Sequence, residues 1–180
     1  MAASKYNTSQ FTSEEFVESS GAVLFDLSPA KSKVCLIHYI AEDEWLLAKG
    51  RRNCGETRQE AALREVREET GYACHLHPVT MSTRAPPMAE TGYIADQART
   101  FSDLTEPFML TIRRMDGNSS TKLIWWYIAA KDSAVEKASG EAEFEAEFLS
   151  WDEALQRLTF QDDRKILERA IELVENSPRE

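Results

Sequence analysis

The sequence predicts an α/β domain, and three observations carry that reading. Apolar, β-prone runs recur at residues 21–27 (GAVLFDL), 34–40 (VCLIHYI), 108–115 (FMLTIRRM) and 122–130 (KLIWWYIAA), separated by turn residues. One helical stretch without a breaker, residues 57–70, lies between the second and third of these runs. A helical segment closes the chain, where Ile166, Leu167, Ala170, Ile171 and Leu173 form an apolar stripe at helical spacing. At 180 residues, 42% hydrophobic and 29% charged, the chain has the size and composition of one folded domain.

In order along the chain, residues 1–17 are polar and read as a flexible arm, with Phe11 and Phe16 able to fold back, ahead of a single domain at 18–180. Ser19, Ser20 and Gly21 open the first strand, and residues 28–32 turn it into the second. His38 lies in that second strand and reads as structural, because the chain has only three histidines and none is paired at metal-ligand spacing. Residues 45–48 (WLLA) lead into Lys49, Gly50, Arg51 and Arg52.

After the helix, residues 73–80 read as one strand with His75 and His77 on the same side, as surface or packing residues. Residues 81–105 hold no steady period and contain Pro86, Pro87 and Gly92, so an irregular lid or binding loop is expected, with disorder as the competing account. Arg84, Tyr93, Arg99 and Phe101 are its candidate phosphate and ring contacts. Residues 116–120 (DGNSS) form a hairpin turn. In the strand that follows, Trp125, Trp126 and Tyr127 alternate, and core packing is the safer reading of each over base stacking. An alternating strand at 141–149 places Glu141, Glu143, Glu145 and Glu147 on one side, opposite Phe144 and Phe148. Ser150 and Glu153 make a capping box for a helix to about Leu158, and Asp162 or Asp163 starts the last helix.

The helix at 57–70 carries the chemistry. Thr57 caps it, Glu60 closes the capping box and Gly71 ends it. At about 100° per residue Glu65, Glu68 and Glu69 share one narrow side, next to Ala62, Leu63 and Val66. Like charges at this spacing repel by a few tenths of a kcal/mol, so a positive partner is expected. Hard carboxylate oxygens suit Mg²⁺ or Mn²⁺. The plain alternative is a solvated acidic face.

The stretch from Gly50 to Tyr72 resembles the Nudix box, Gly-x5-Glu-x7-Arg-Glu-U-x-Glu-Glu-x-Gly-U, where U is a bulky apolar residue. Gly50, Glu56, Arg64, Glu65, Val66, Glu68, Glu69, Gly71 and Tyr72 fill all nine fixed positions within 23 residues. Tyr72 is a mild departure from the more common aliphatic residue. Ala48 stands where the branches acting on diadenosine polyphosphates and diphosphoinositol polyphosphates often have proline before Lys-Gly.

The resemblance spans most of the chain and implies a Nudix α/β/α sandwich with a mixed sheet and a catalytic loop-helix-loop. It implies Mg²⁺ or Mn²⁺ held by Glu65, Glu68, Glu69 and the backbone carbonyl of Lys49, with Arg64 orienting a carboxylate and Glu56 steadying the box loop or extending the metal network. One of Glu65, Glu69 or a downstream acid would accept the water proton, with Glu145 the first choice for that acid and Glu143 the second. Lys49, Arg51, Arg52 and Arg84 are the candidate phosphate-binding side chains. The implied function is a metal-dependent hydrolase of a nucleoside diphosphate linked to another moiety, such as a dinucleoside polyphosphate. A diphosphoinositol polyphosphate phosphohydrolase is the alternative, and a non-catalytic nucleotide or inositol-phosphate sensor is a third reading, set back by the intact carboxylates. An aromatic platform near Trp45 or Trp125 and Tyr127 would favour a base; clustered cations would favour a phosphorylated ring.

The net charge of −10 argues against general nucleic-acid binding but not against a small phosphorylated substrate met through metal ions and local cations. No apolar window reaches the 18 residues of a membrane span, and the start MAASKYNTSQ lacks an apolar signal core, so a cytoplasmic or nuclear location is expected. Cys35, Cys54 and Cys74 are too scattered for zinc and odd in number, which suits reduced thiols. Oligomeric state leaves no mark in the sequence.

Overall fold

Two apolar faces of one twisted sheet organise the chain. The computed structural model describes residues 5–28, 32–87, 92–114 and 120–178. Its elements run β1 (Phe16–Asp26), β2 (Lys33–Tyr39), β3 (Glu44–Leu46), β4 (Lys49–Arg51), α1 (Arg58–Thr70), β5 (Cys74–Leu76), β6 (Val79–Thr83), β7 (Arg99–Leu104), β8 (Met109–Arg114), β9 (Thr121–Lys131), β10 (Phe144–Leu149), α2 (Trp151–Arg157) and α3 (Gln161–Glu175). The main sheet has the order β10-β2-β1-β9-β5, with β3 beside β2, β4 beside β1 and β8 beside β9. The β1 and β9 pairing is parallel and the rest are antiparallel, so the sheet is mixed.

Alternation along the central strands divides the core. Val23, Phe25, Leu36, Ile124 and Trp126 face one way and pack with Leu158, Ile166, Leu167 and Ala170 of the closing helical segment. Ala22, Leu24, Ile37 and Tyr127 face the other way and pack with Ala62 and Val66 of α1. The result is an α/β/α sandwich. Each fully buried large apolar side chain contributes roughly 1.5–3 kcal/mol, so α1 is held by its buried face more than by its own propensity.

The break between β1 and β2 positions the site. These strands pair only at Phe25 with Val34 and Asp26 with Lys33, and further back β4 occupies the place beside β1, with Ser19, Ser20 and Gly21 opposite Arg51, Gly50 and Lys49. The chain crosses from β3 on β2 to β4 on β1 through buried Leu47 and Ala48. Gly21 permits the crossing: a Cβ there would sit 2.5 Å from the Ala48 carbonyl oxygen and 2.8 Å from the Trp126 ring.

Several boundaries differ from the sequence reading. β1 starts at Phe16 and includes the last two residues of the expected arm, because Phe16 and Val17 pair with Thr121 and Lys122 in the long parallel ladder. The single strand expected at 73–80 is two, β5 on the main sheet and β6 in a separate two-stranded sheet, with Pro78 between them. The ends of the 81–105 insert are ordered, since β6 pairs antiparallel with β7. β10 begins only at Phe144, and Glu141 and Glu143 precede it. α3 begins at Gln161, with Phe160 at the N-cap and no side-chain cap; Asp162 and Asp163 lie in its first turn. Most of the two expected turns at 28–32 and 116–120, the middle of the insert at 88–91 and the first four residues of the arm lie outside the described residues. Among the described residues no helix is long and apolar enough to cross a membrane.

Candidate active site

α1 forms as its sequence dictates. The Thr57 side chain accepts the Glu60 N–H, the Glu60 carboxylate accepts the Thr57 N–H at 2.8 Å, and Gly71 ends the helix at φ 76° with its N–H on the Arg67 carbonyl. A Cβ at Gly71 would also overlap the Ala138 carbonyl oxygen. Glycine therefore lets the 131–141 connection close on the helix end, where the Ala138 N–H donates to the Gly71 carbonyl at 2.8 Å and the Glu141 N–H to the Glu68 carbonyl at 2.8 Å.

Arg64 is the hub of the acidic edge. Its Nε and Nη2 donate to the two Glu56 oxygens at 2.7 and 3.0 Å, and its Nη1 donates to Glu65 and Glu68, each at 2.7 Å. Nη2 also donates to the Arg51 carbonyl at 2.9 Å, which ties helix to strand. Glu56 in turn accepts the Asn53 N–H at 2.8 Å and so holds the loop entering the helix. Hydrogen bonding to Glu56, ahead of the contacts with Glu65 and Glu68, raises the Arg64 pKa and keeps it charged.

Glu65 rests on Gly50, where any Cβ would overlap its carboxylate. Burial pushes the Glu65 carboxyl above the usual carboxylate range despite the hold of Arg64, with Glu68 and Glu141 adding to the rise. Glu69 is 7% exposed and accepts the Lys49 backbone N–H at 2.9 Å. Burial pushes it up to about 8, against the pull of the Lys49 charge and N–H, while Glu65 and Glu141 push the same way as burial. Glu68 is the exposed member of the three.

Among the described residues no three His, Cys, Asp or Glu side chains are gathered at ligating distance. The reason is local: Glu65 and Glu68 turn to Arg64, and Glu69 turns to the Lys49 N–H. The residues still fit a hard divalent cation. Three carboxylates lie on one helix edge, Gly50 leaves room for one of them, and two are held in surroundings that disfavour their charge without a further cation.

The remaining candidates divide. Lys49 and Arg51 meet this edge through their backbones, the Lys49 N–H on Glu69 and the Arg51 carbonyl on Arg64, while their side chains leave β4 on the face of Gly21, opposite Gly50. Arg52 is a tie within the protein, donating from Nε to Glu18 at 3.0 Å and from Nη1 to the Glu56 carbonyl at 2.8 Å. Glu18 gathers Arg58 and the Trp125 indole N–H as well. Beside this knot opens a cavity of about 430 Å³ lined by Glu18, Arg52, Glu56, Arg58 and Tyr127 among others. Arg84 is in the insert, paired with Asp96 at 2.8 Å. The aromatic candidates are engaged: Trp126 is fully buried, Arg58 covers Trp125 at 4.1 Å, and Trp45 lies between His38 at 4.8 Å and Arg157 at 4.7 Å.

Glu145 is placed away from the acidic edge. Phe144, Ala146 and Phe148 take the α1 face of β10, so Glu145 leaves from the opposite face, exposed and 3.9 Å from the His38 ring. Glu143 lies before the strand and gives its carbonyl to the Ile40 N–H. The downstream acid whose charge reaches Glu65 and Glu69 is Glu141. The sequence reading placed Glu145 first and Glu143 second and passed over Glu141, which the docking of the connection on Gly71 and Glu68 brings to the helix end.

The family model of the NUDIX domain matches residues 18–170. The chain belongs to the Nudix family. This Nudix chain is 29% identical over 168 residues to an 8-oxo-(d)GTP phosphatase of Mycolicibacterium smegmatis, covering 88% of its own length and 42% of that protein, so it spans less than half of that relative. Its fold is similar to that of an Ap4A hydrolase of C. elegans, with a TM-score of 0.55 at 14% identity over 89% of this chain and 98% of the other. It is also similar to a Nudix family hydrolase of Clostridium perfringens, with a TM-score of 0.57 at 18% identity over 91% and 99% of the two chains. The Nudix box thus sits in the expected sandwich, with its helix on one face of the mixed sheet and its glycine on the inserted strand β4.

Proposed function

We propose that this Nudix domain is a pyrophosphohydrolase that cleaves a phosphoanhydride bond in a nucleoside diphosphate linked to another moiety, such as a dinucleoside polyphosphate. The observation that carries the reading is the acidic edge of α1, where Glu65, Glu68 and Glu69 lie between Arg64 and the Lys49 backbone. The printed descriptions of the relatives, an 8-oxo-(d)GTP phosphatase and an Ap4A hydrolase, support a nucleotide substrate. In this reading Glu65, Glu68, Glu69 and the Lys49 carbonyl would hold Mg²⁺ or Mn²⁺, which would supply neutralisation of phosphate oxygens and a lowered pKa for water.

The chain's own residues do the rest. Arg64 fixes the rotamers of Glu65 and Glu68, so less side-chain freedom is lost when a ligand binds. Glu65 or Glu69 would take the proton from water, with Glu141 the neighbouring acid; burial raises the pKa of both carboxyls, Glu69 to about 8, so a bound cation would be needed to keep Glu69 charged and able to accept at pH 7. Lys49 and Arg51 would meet phosphate charge from the face of β4 opposite Gly50. The domain expected at 18–180 is extended to the start of β1 at Phe16, and its setting is taken as the cytoplasm or nucleus.

A second reading, hydrolysis of a diphosphoinositol polyphosphate, is favoured by the cations beside the box. A panel of dinucleoside polyphosphates, sugar nucleotides, oxidised nucleoside triphosphates and diphosphoinositols, assayed with Mg²⁺ and with Mn²⁺, separates the two. No turnover on any of them would move the chain to a sensor.

A further inference from the structure

Beside the Thr121–Trp126 half of β9 the main sheet ends at β8, with an edge that no strand takes. Among the described residues β8 pairs only with β9, and residues 109–114 make no backbone hydrogen bond outside that ladder. An uncovered edge is a template for another strand unless charge, proline or a bulge blunts it. On β8 the blunting is partial. Leu110 and Ile112 lie opposite Trp125 and Leu123, on the face that α1 covers further along the sheet, and they are 40% and 57% exposed. The Trp126 indole donates to Thr111 at 3.1 Å on the opposite face, which fixes that orientation. Arg113 and Arg114 end the strand, both exposed and, among the described residues, without an ion pair.

The opposite end of the sheet differs. β10 carries Glu145 and Glu147 on one face, so a second β10 laid against it antiparallel would set acid opposite acid. The edge of β8, by contrast, complements itself. A two-fold axis through Thr111 sets Leu110 of each copy opposite Ile112 of the other, and these exposed aliphatic side chains close into one stripe that continues onto Leu123. The same register sets Arg113 opposite Met109. It keeps the two Arg113 charges about 13 Å apart along the strands, beyond the screening length of about 8 Å at physiological salt. Arg114 of one copy runs past Phe108 toward Glu106 of the other. Glu106 is exposed, likewise without an ion pair among the described residues, and lines the cavity shared with Glu18 and Arg58.

We propose that β8 is a homodimer interface: two copies of this chain join edge to edge, antiparallel about Thr111, into one continuous sheet, and each sets its Arg114 at the rim of the other's cavity at the start of α1. Strand pairing satisfies the backbone groups of the edge, the aliphatic stripe supplies the attraction, and the two Arg114 to Glu106 pairs fix the register. The contact is isologous, so it closes at two copies instead of growing into a fibre. It holds whichever phosphoanhydride the domain cleaves.

The test is sedimentation velocity on the full chain at physiological salt, over concentrations from about 1 to about 100 µM. The expected result is a species of twice the 20.5 kDa chain mass and none larger. Ile112→Lys, at an exposed position, should weaken dimerisation at least about a hundredfold while the far-UV circular dichroism stays that of the wild type. Should that variant misfold, charge reversal reads the same interface. Arg114→Glu and Glu106→Arg should each weaken the dimer about tenfold, and the two together should recover it. A monomer throughout, a dimer indifferent to all of these substitutions, or assemblies larger than two copies would overturn the proposal.

Discussion

Gly50 on β4 lies so close to the carboxylate of Glu65 on α1 that a Cβ at position 50 would overlap it. The overlapping atoms are the far end of a flexible side chain, and Gly50 is not among the glycines with positive φ. Gly50→Ala therefore has little reason to unfold the protein and good reason to move Glu65. The expected result is a stability change within about 1 kcal/mol and a fall in kcat of roughly a hundredfold. Denaturant melts and metal-dependent turnover check it; unchanged turnover would show that the Glu65 position does not matter.

Glu69 gives a pH-dependent stability with a definite sign. Its carboxyl is pushed up to about 8 in the folded protein, so the native state keeps its proton longer than the unfolded chain does. The stability this provides is complete below the unfolded value of about 4.3 and is lost as pH rises through about 8. In EDTA the protein should lose on the order of a few kcal/mol between pH 5 and pH 9. Glu69→Gln should flatten that slope, and Mg²⁺ should raise Tm more at pH 8 than at pH 6 in the wild type, because the ion takes the place of the proton.

Arg64 joins Glu56, Glu65 and Glu68. Arg64→Ala leaves three carboxylates without their cation and should cost about 1–3 kcal/mol in metal-free buffer, with a smaller loss in saturating Mg²⁺. Lysine cannot reproduce the fork on Glu56, so Arg64→Lys should remain well short of wild type. A double-mutant cycle with Glu56→Gln measures the coupling, and additivity within about 0.3 kcal/mol would count against the hub.

Gly71→Ala meets two obstacles at once, the φ of 76° and the Ala138 carbonyl. Destabilisation of at least about 1–2 kcal/mol is expected from the left-handed backbone alone. Because Glu141 is carried by the same connection, turnover should fall further than stability explains, which a comparison of kcat with the folded fraction reads out.

Asp163 offers a gain instead. Burial raises its pKa against the pull of Lys49 and Arg113, so its stabilising contribution is present below the unfolded value of about 3.9 and is lost as pH climbs through the native one. Asp163→Asn removes the buried charge at nearly constant volume. At pH 8 the variant should be more stable than the wild type by about 1 kcal/mol, with the difference vanishing in acid. A loss of stability at pH 8 would mean that the carboxylate has a partner the hydrogen bonding does not reveal.

The sequence by itself determined the helix, its two caps and the acidic edge, because capping boxes, a left-handed glycine and 3.6-residue spacing are local properties that Thr57, Glu60, Gly71 and Glu65 to Glu69 carry wherever the helix packs. It also determined the strands around Phe25, Ile37 and Ile124, whose alternation or apolar runs state which faces are buried. Only the tertiary structure decided what stands beside that edge. The separation of β1 from β2, the insertion of β4 and the docking of Ala138 on Gly71 are contacts between residues far apart in the chain, and they bring in Glu141 and direct Glu145 to the other face. The free edge of β8 was invisible to any motif for the same physical reason: strand pairing, not sequence distance, decides which strand ends the sheet.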